Sequence, residues 1–230
     1  MNWPDLTVMI VTYNRPREIR RTTKALEESI VYPGQLHWHL ADDASPGTYI
    51  QDLHQDFSHL KFSATSTNRQ GWGANVNKAL KFIRDDYTFL CEDDYVAVRQ
   101  IKLHIGVRIL EAQPTIGLIR YDGIAGHLGL NLWLREARTP IGTLSYLEID
   151  RGHSGHLNVY SNRPHLRHRR FQNVVGYYPE GISLGHTEEA YAHKVIDAKP
   201  GMGLAILSDG IGRAFDHIGK SRQGTKLDRP

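Results

Sequence analysis

Through its first half the chain repeats one arrangement: a short unbroken apolar run, a polar cluster, then apolar residues every three or four positions. Leu6–Thr12 is the first such run, and its lack of alternation predicts a strand buried on both faces. Asn14 follows, and Pro16 falls where a first helical turn accepts proline. Ile19, Thr23, Leu26 and Ile30 then recur at helical spacing until Pro33-Gly34 stops the pattern. The same reading predicts strands at Leu36–Ala41, Lys61–Ala64, Tyr87–Cys91 and Thr115–Tyr121. It predicts helices over Thr48–Phe57, Ala74–Asp85 and Gln100–Ala112.

Strands separated by helical stretches of roughly 10–15 residues imply βαβ crossovers. The expected fold is therefore α/β, a mostly parallel sheet with helices on both faces. In such sheets ligands bind beyond the carboxyl ends of the strands. Thr12-Tyr13-Asn14-Arg15, Asp42-Asp43-Ala44-Ser45 and Glu92-Asp93-Asp94 each close a predicted strand, so all three should face one cleft.

The second half changes character. Leu128, Leu130, Leu132 and Leu134 alternate as in a half-buried strand, and Ile141–Ile149 reads as another. The stretch from Arg151 to Gln172 is polar and rich in Gly, His and Arg, and is expected to be irregular. A helix near Thr187–Ile196 and a strand at Leu204–Ser208 complete the pattern.

Composition narrows the class. The 230 residues are 40% hydrophobic and 23% charged, which excludes a disordered or collagen-like chain. No apolar run approaches the ~20 residues of a membrane-spanning helix. The N-terminus lacks the basic region and apolar length of a signal peptide. One cysteine, Cys91, excludes an internal disulfide framework and Cys-based zinc; a cytoplasmic location is expected. A net charge of +3 favours an anionic partner only mildly. His153/His156 and His37/His39 lack a clear third metal ligand and read as surface pairs. Gly71-Trp72-Gly73 does not have dinucleotide-binding spacing, and neither a P-loop nor a nucleophile elbow is present.

The acidic cluster carries the chemistry. Three carboxylates at a buried strand end repel unless a cation neutralises them. A hard divalent ion with oxygen ligands, Mg²⁺ or Mn²⁺, answers that need and suits a diphosphate leaving group. A solvated turn after a strand is the plainer alternative.

The series TVMIVTYNR, LADDAS, NRQGWGANVNKAL and YTFLCEDDYV, in this order over residues 6–96, resembles the nucleotide-sugar-binding half of GT-A glycosyltransferases, most closely glycosyltransferase family 2. The resemblance implies a GT-A-like fold with a nucleotide-sugar-binding portion over 1–125. An acceptor-binding portion of the same domain would then span 126–230. It implies a UDP- or GDP-sugar donor, with Thr12 and Tyr13 at the nucleotide base and Asn14 and Arg15 on the same strand-end loop. Asp43 would also meet the base, Asp93 would lie near the ribose, and Asp94 would be the metal ligand that ends the family's DXD motif. Glu92 replaces that motif's first Asp. Asn68 and Gly71 match a loop over the donor. The Arg that often precedes the Asn of this motif is absent, since Ala74 precedes Asn75; Arg69 is its candidate substitute.

Further on, Thr187-Glu188-Glu189 resembles the motif whose last carboxylate is the catalytic base, which puts Glu189 ahead of Glu188. A carboxylate within hydrogen-bond reach of an acceptor hydroxyl can take its proton; a capped helix start is the alternative. His217 resembles the late histidine that completes the metal site. The Q-x-x-R-W pattern of processive members is missing, so polymer synthesis is not expected.

One basic run, Arg163-Pro164-His165-Leu166-Arg167-His168-Arg169-Arg170, is either a solvated face or a track for a phosphate backbone. On the second reading Arg163, Arg167, Arg169 and Arg170 would hold a nucleic-acid acceptor, such as a modified base bearing a hydroxyl; a glycan is the other acceptor considered. The expectation is a metal-dependent inverting glycosyltransferase. The alternatives are a sugar nucleotidyltransferase, which would carry a Gly-rich loop after the first strand, and a non-catalytic nucleic-acid-binding module.

Overall fold

The computed structural model describes residues 2–121, 131–150, 159–198, 203–207 and 213–219, with 203–207 as backbone. Each early apolar run forms a strand. β1 (Leu6–Thr12) is buried along its length and passes through Asn14, held at φ 49°, into α1 (Pro16–Ser29). After β2 (Ile30–Val31) come β3 (Leu36–Asp42), α2 (Tyr49–Asp56), β4 (Ser63–Ser66), α3 (Trp72–Phe82) and β5 (Tyr87–Glu92). The short strands β6 (Tyr95–Ala97) and β7 (Ile101–Lys102) precede α4 (Leu103–Ala112) and β8 (Ile116–Arg120). The second half supplies β9 (Leu132–Thr139), β10 (Gly142–Ile149), β11 (His165–His168) and α5 (Arg169–Val175). It closes with α6 (Leu184–Asp197), β12 (Gly203–Leu207) and β13 (Phe215–His217).

Nine strands form one sheet in the order β4-β3-β1-β5-β11-β8-β12-β10-β9. Only β11 and β10 run against the common direction. β1 explains why its sequence shows no alternation. Leu6, Val8 and Ile10 share one core with Ile19 and Leu26 of α1 and Val107 of α4. Met9 and Val11 share the opposite core with Val76 of α3, Phe171 of α5 and Tyr191 and Val195 of α6. Removing any of these large side chains from water contributes about 1.5–3 kcal/mol.

The expected irregularity of 151–172 is corrected at its end. β11 is inserted antiparallel between β5 and β8, in the middle of the sheet. Its Arg167 is 2% exposed, donates 3.0 Å to the Tyr178 hydroxyl and bonds Gln172 Oε1, with its guanidinium 5.1 Å from the Phe171 ring. Arg169 donates to the carbonyls of Ile83, Arg84 and Asp85 after α3. Arg170 does the same for Leu110 and Ile116 at the two ends of the α4–β8 turn. Arg167, Arg169 and Arg170 thus satisfy backbone acceptors and a buried aromatic cluster, so this part of the run is not a solvated face. Arg163 is half-buried as well.

Among the leucines expected to alternate, Leu128 and Leu130 lie outside the described residues, as do His153, His156 and Ser208. Leu132 is half-buried but Leu134 is 67% exposed, because β9 ends the sheet.

His39 of β3 is not the surface residue expected: it is 1% exposed, wedged between the Ser63 and Thr65 hydroxyls at 2.8 and 3.0 Å and stacked on Phe82. Burial pushes its pKa down to about 4 from an ordinary 6.5. The unfolded chain then binds the proton first, so stability is lost as pH falls from about 6.5 toward 4. Denaturant melts across that range should show a loss of about 2–3 kcal/mol that His39→Gln removes.

Candidate functional site

Strand register assembles the site. Thr12 lies opposite Asp42, and Val11 opposite Glu92, so the three polar strand ends stand side by side. Backbone bonds continue the ladder past the strands: Asp43 N–H donates to the Thr12 carbonyl at 3.1 Å and Asp93 N–H to the Val11 carbonyl at 3.0 Å.

Asp93 is the centre of this rim and is 4% exposed. Its Oδ2 accepts from the Thr12 hydroxyl at 2.8 Å and the Tyr13 N–H at 3.3 Å, and its Oδ1 from Arg15 Nη1 at 3.2 Å. Thr22 of α1 donates to its carbonyl at 2.8 Å. Burial pushes its pKa up to about 6, against the pull of Arg15 and of the Thr12 hydroxyl. Glu92 is raised further, first by loss of water and then by Asp94 and Asp93.

Asp94 is also 4% exposed. Its Oδ2 meets Arg15 Nη1 and lies 3.2 Å from His217 Nε2, while its buried Oδ1 has no hydrogen-bond partner among the described residues. β13 delivers His217 by pairing with β6, which sets His217 across from Tyr95 with the rings 4.9 Å apart. Ile218 N–H donates 2.8 Å to the Asp94 carbonyl, and a Cβ on Gly219 would collide with the Asp94 carboxylate. Glycine is required there by close approach.

The second wall is the 67–71 loop. Asp43 accepts from the Thr67 hydroxyl, from Gln70 N–H at 2.9 Å and from Gly71 N–H at 3.0 Å, which sets the start of α3. Asp42 ties down the turn beside it through Ser45 N–H at 2.9 Å and the Ser45 hydroxyl. Ala44 and Arg69 hold positive φ at 63° and 56°, an uncommon conformation for side-chain-bearing residues, on these two loops. The Arg69 guanidinium lies 4.7 Å over the Tyr13 ring. Asn68 is exposed.

Some expected residues take different places. The Thr12 side chain is 3% exposed and its hydroxyl is engaged by Asp93 and Tyr49, so it supports the acidic strand end instead of facing a base. Helix α6 starts earlier than the pattern suggests: Ser183 is its cap, accepting from His186 N–H, and Thr187 is buried inside the first turn. That phase puts Glu188 on the inner flank, where Oε1 accepts from Asn162 N–H at 2.8 Å and its charge bears on Glu92 and Tyr95. Glu189 is exposed. Tyr95 is pushed up by burial and then by Glu92, with Arg163 acting against them.

Tyr49, Thr22, Tyr95 and Asn162 serve the site and went unsingled in the sequence. The searchable signal was weak: Thr22 sits among the apolar residues on the buried face of α1, and Asn162 lies in a loop with no pattern of its own. Among the described residues, the one set of three His, Asp or Glu ligand atoms within 4.8 Å is Asp5, His37 and Asp85. Asp5, His37 and Asp85 sit near the starts of β1, β3 and β5, at the far end of the sheet from this rim.

The Asp43 carboxylate carries the 67–71 loop on three hydrogen bonds, and charged acceptors of this kind are worth about 1.5–3 kcal/mol. Asp43→Ala should therefore speed hydrogen exchange at the Gln70 and Gly71 amides while leaving the β1 and β5 amides protected. Mass spectrometry of exchanged peptides over 67–75 reads this directly.

With the geometry in place, comparison with known proteins is informative. Over 101 residues the chain is 30% identical to the cellulose synthase catalytic subunit [UDP-forming] of Xanthomonas axonopodis pv. citri (strain 306), covering 42% of this chain and 13% of that protein. The crystal structure of S. aureus TarS 1–349 superposes with a TM-score of 0.67 at 13% identity, covering 92% of this chain and 59% of TarS 1–349. The mannosyltransferase PcManGT from Pyrobaculum calidifontis, solved with GDP-Man and Mn²⁺, gives 0.64 at 15% identity, covering 96% of this chain and 61% of that one. The chain thus spans about three fifths of these structural relatives, which share its GT-A type of mixed α/β sheet. No helix among the described residues is long and apolar enough to cross a membrane. Residues 7–168 match the profile described as Glycosyl transferase family 2, so the chain belongs to that family.

Proposed function

We propose that this chain transfers a sugar from a nucleotide-diphosphate sugar to a hydroxyl acceptor, with inversion and with a divalent cation at the strand ends. The observation that carries the reading is the meeting of Tyr13, Asp43, Asp93, Asp94 and His217 on one rim, with Glu188 facing it. TarS has been solved with UDP-GlcNAc and with UDP, and PcManGT with GDP-Man and Mn²⁺. These bound ligands support a UDP- or GDP-sugar donor for this chain.

The residues fit a cation. Asp94 has one oxygen buried without a partner and the other beside an imidazole nitrogen, and this oxygen–nitrogen pair suits Mn²⁺ more than Mg²⁺. Asp94 and His217 would hold the ion, which when bound stabilises charge developing on the leaving diphosphate. Tyr13 offers its ring to the base. Asp43 Oδ2, with one N–H bond made, keeps room for a second donor from the base. Asp93, anchored by the Thr12 hydroxyl, would accept from a ribose hydroxyl.

Glu188 is the proposed base, in preference to the exposed Glu189. Its Oε1 is positioned by the Asn162 amide, which leaves Oε2 to take the acceptor proton as the hydroxyl attacks the anomeric carbon. The acceptor then lies among Glu188, Tyr95 and Arg163. With Arg167, Arg169 and Arg170 committed inside the protein, a nucleic-acid-binding module loses the feature that suggested it.

Two variants separate the roles. A nucleotide that binds only the folded state at 100 times its Kd stabilises by about 2.7 kcal/mol. Thermal shifts with UDP and GDP plus Mn²⁺ should show this gain in wild type, lose it in Asp94→Asn and retain it in Glu188→Gln. Donor-dependent turnover should fall in Glu188→Gln by about 10²–10⁴-fold and survive in Glu189→Gln. Loss of nucleotide binding in Glu188→Gln equal to that in Asp94→Asn contradicts the division of labour.

A further inference from the structure

Arg15 stands in the position that the proposed cation has to enter. It leaves the turn between β1 and α1 and places Nη1 3.2 Å from Asp93 Oδ1 and against Asp94 Oδ2. His217 Nε2 reaches that same Asp94 oxygen at 3.2 Å, so one carboxylate oxygen faces two cationic or metal-ligating groups. The guanidinium makes its hydrogen bonds to these two carboxylates among the described residues, and its side chain is 27% exposed, open on one side to solvent.

We infer that Arg15 is an exchangeable counter-ion: it holds Asp93 and Asp94 together until a divalent cation arrives, then gives up Asp94 Oδ2 and swings outward. This rests on the metal reading above and extends it to how the ion enters. Two neighbouring cations on one carboxylate oxygen repel at close range in a weakly screened site, so the guanidinium and the ion compete. A long flexible side chain anchored only by charge is free to leave without disturbing the loop that bears it. Swung outward, Arg15 remains on the turn that carries Tyr13, with its charge available to diphosphate oxygens. It is a positioning residue that acts through Asp94.

The test is Mn²⁺ affinity of the full chain without nucleotide, read from the electron paramagnetic resonance of free Mn²⁺ during titration. Arg15→Met should bind Mn²⁺ about tenfold or more tightly than wild type, within the 5–150-fold range of typical site couplings. It should also melt lower than wild type in EDTA, a gap that added Mn²⁺ closes. Arg15→Lys keeps a charge but loses the fork that spans two carboxylates, so it should tighten binding by a smaller factor. It decides the matter if Arg15→Met does not fold. Affinity that is unchanged or weaker in the folded variant overturns the exchange while leaving the metal reading standing. No Mn²⁺ binding by wild type or either variant overturns both.

Discussion

Glu92, Asp93 and Asp94 leave the end of β5 in succession, into a place where burial removes most of the water that would screen them. Asp93 and Asp94 are each 4% exposed, and both Asp93 and Glu92 are held above the ordinary carboxylate range. A buried carboxylate is tolerated only with hydrogen bonds and an opposite charge. The surrounding architecture supplies both. Thr12 comes from β1, the Tyr13 amide and the Arg15 guanidinium from the turn after it, the Thr22 hydroxyl from α1 and the Ile218 amide from the segment after β13. Because β1 and β5 are parallel neighbours in fixed register, a slip of either strand would strand a carboxylate without partners. The acidic end is the feature around which the sheet's order makes chemical sense.

Much of this was readable before any coordinates. The strands β1, β3 and β5 announce themselves because a strand covered on both faces has to be apolar throughout, and their polar terminators follow from where a parallel sheet meets solvent. Strand β11 was not readable. His165-Leu166-Arg167-His168 looks like surface, and nothing local says that Arg167 will be enclosed by Tyr160, Tyr178 and Phe171. Propensity gave way to tertiary context. A trace was present all the same: an arginine with aromatic residues at 160, 171, 177, 178 and 191 has partners able to solvate it through ring faces and hydroxyls.

The placement of Glu188 and Glu189 turns on helix phase. Taking Thr187 as the cap leaves both glutamates in a first turn with no inner or outer face. Once Ser183 is the cap, Thr187, Tyr191, Ala192 and Val195 define the buried stripe, and Glu188 falls beside it four residues before Ala192. Glu189 falls with His193, and both are exposed. Tyr191 and Val195 were in the sequence to be counted, and a wheel started from these apolar residues places the helix start before Thr187.

The Asp43 and Glu188 sides of the rim are joined through the interior more than across the cleft. Arg167 bonds the Tyr178 hydroxyl, and the Tyr178 backbone is clasped by Asn77, whose Oδ1 accepts from its N–H at 2.9 Å and whose Nδ2 donates to its carbonyl at 2.9 Å. Asn75, two residues earlier and so on the opposite side of the helix, donates 2.8 Å to the Ala41 carbonyl at the end of β3. Pro179 then packs so closely on Gly73 that a Cβ there would collide with its carbonyl. Helix α3 is therefore fixed at one end by the Asp43 loop and along its flank by the chain that leads to α6 and Glu188. A buried cation solvated by tyrosines is an expensive device for packing alone, since an apolar residue would fill the space at less cost. Its use is positional: it fixes Tyr178, Tyr178 fixes the 178–183 connection, and that connection sets the height of Glu188 over the acidic strand end. The interior polar network and the carboxylate cluster are thus parts of one arrangement, in which the spacing between Glu188 and Asp94 is determined by the core.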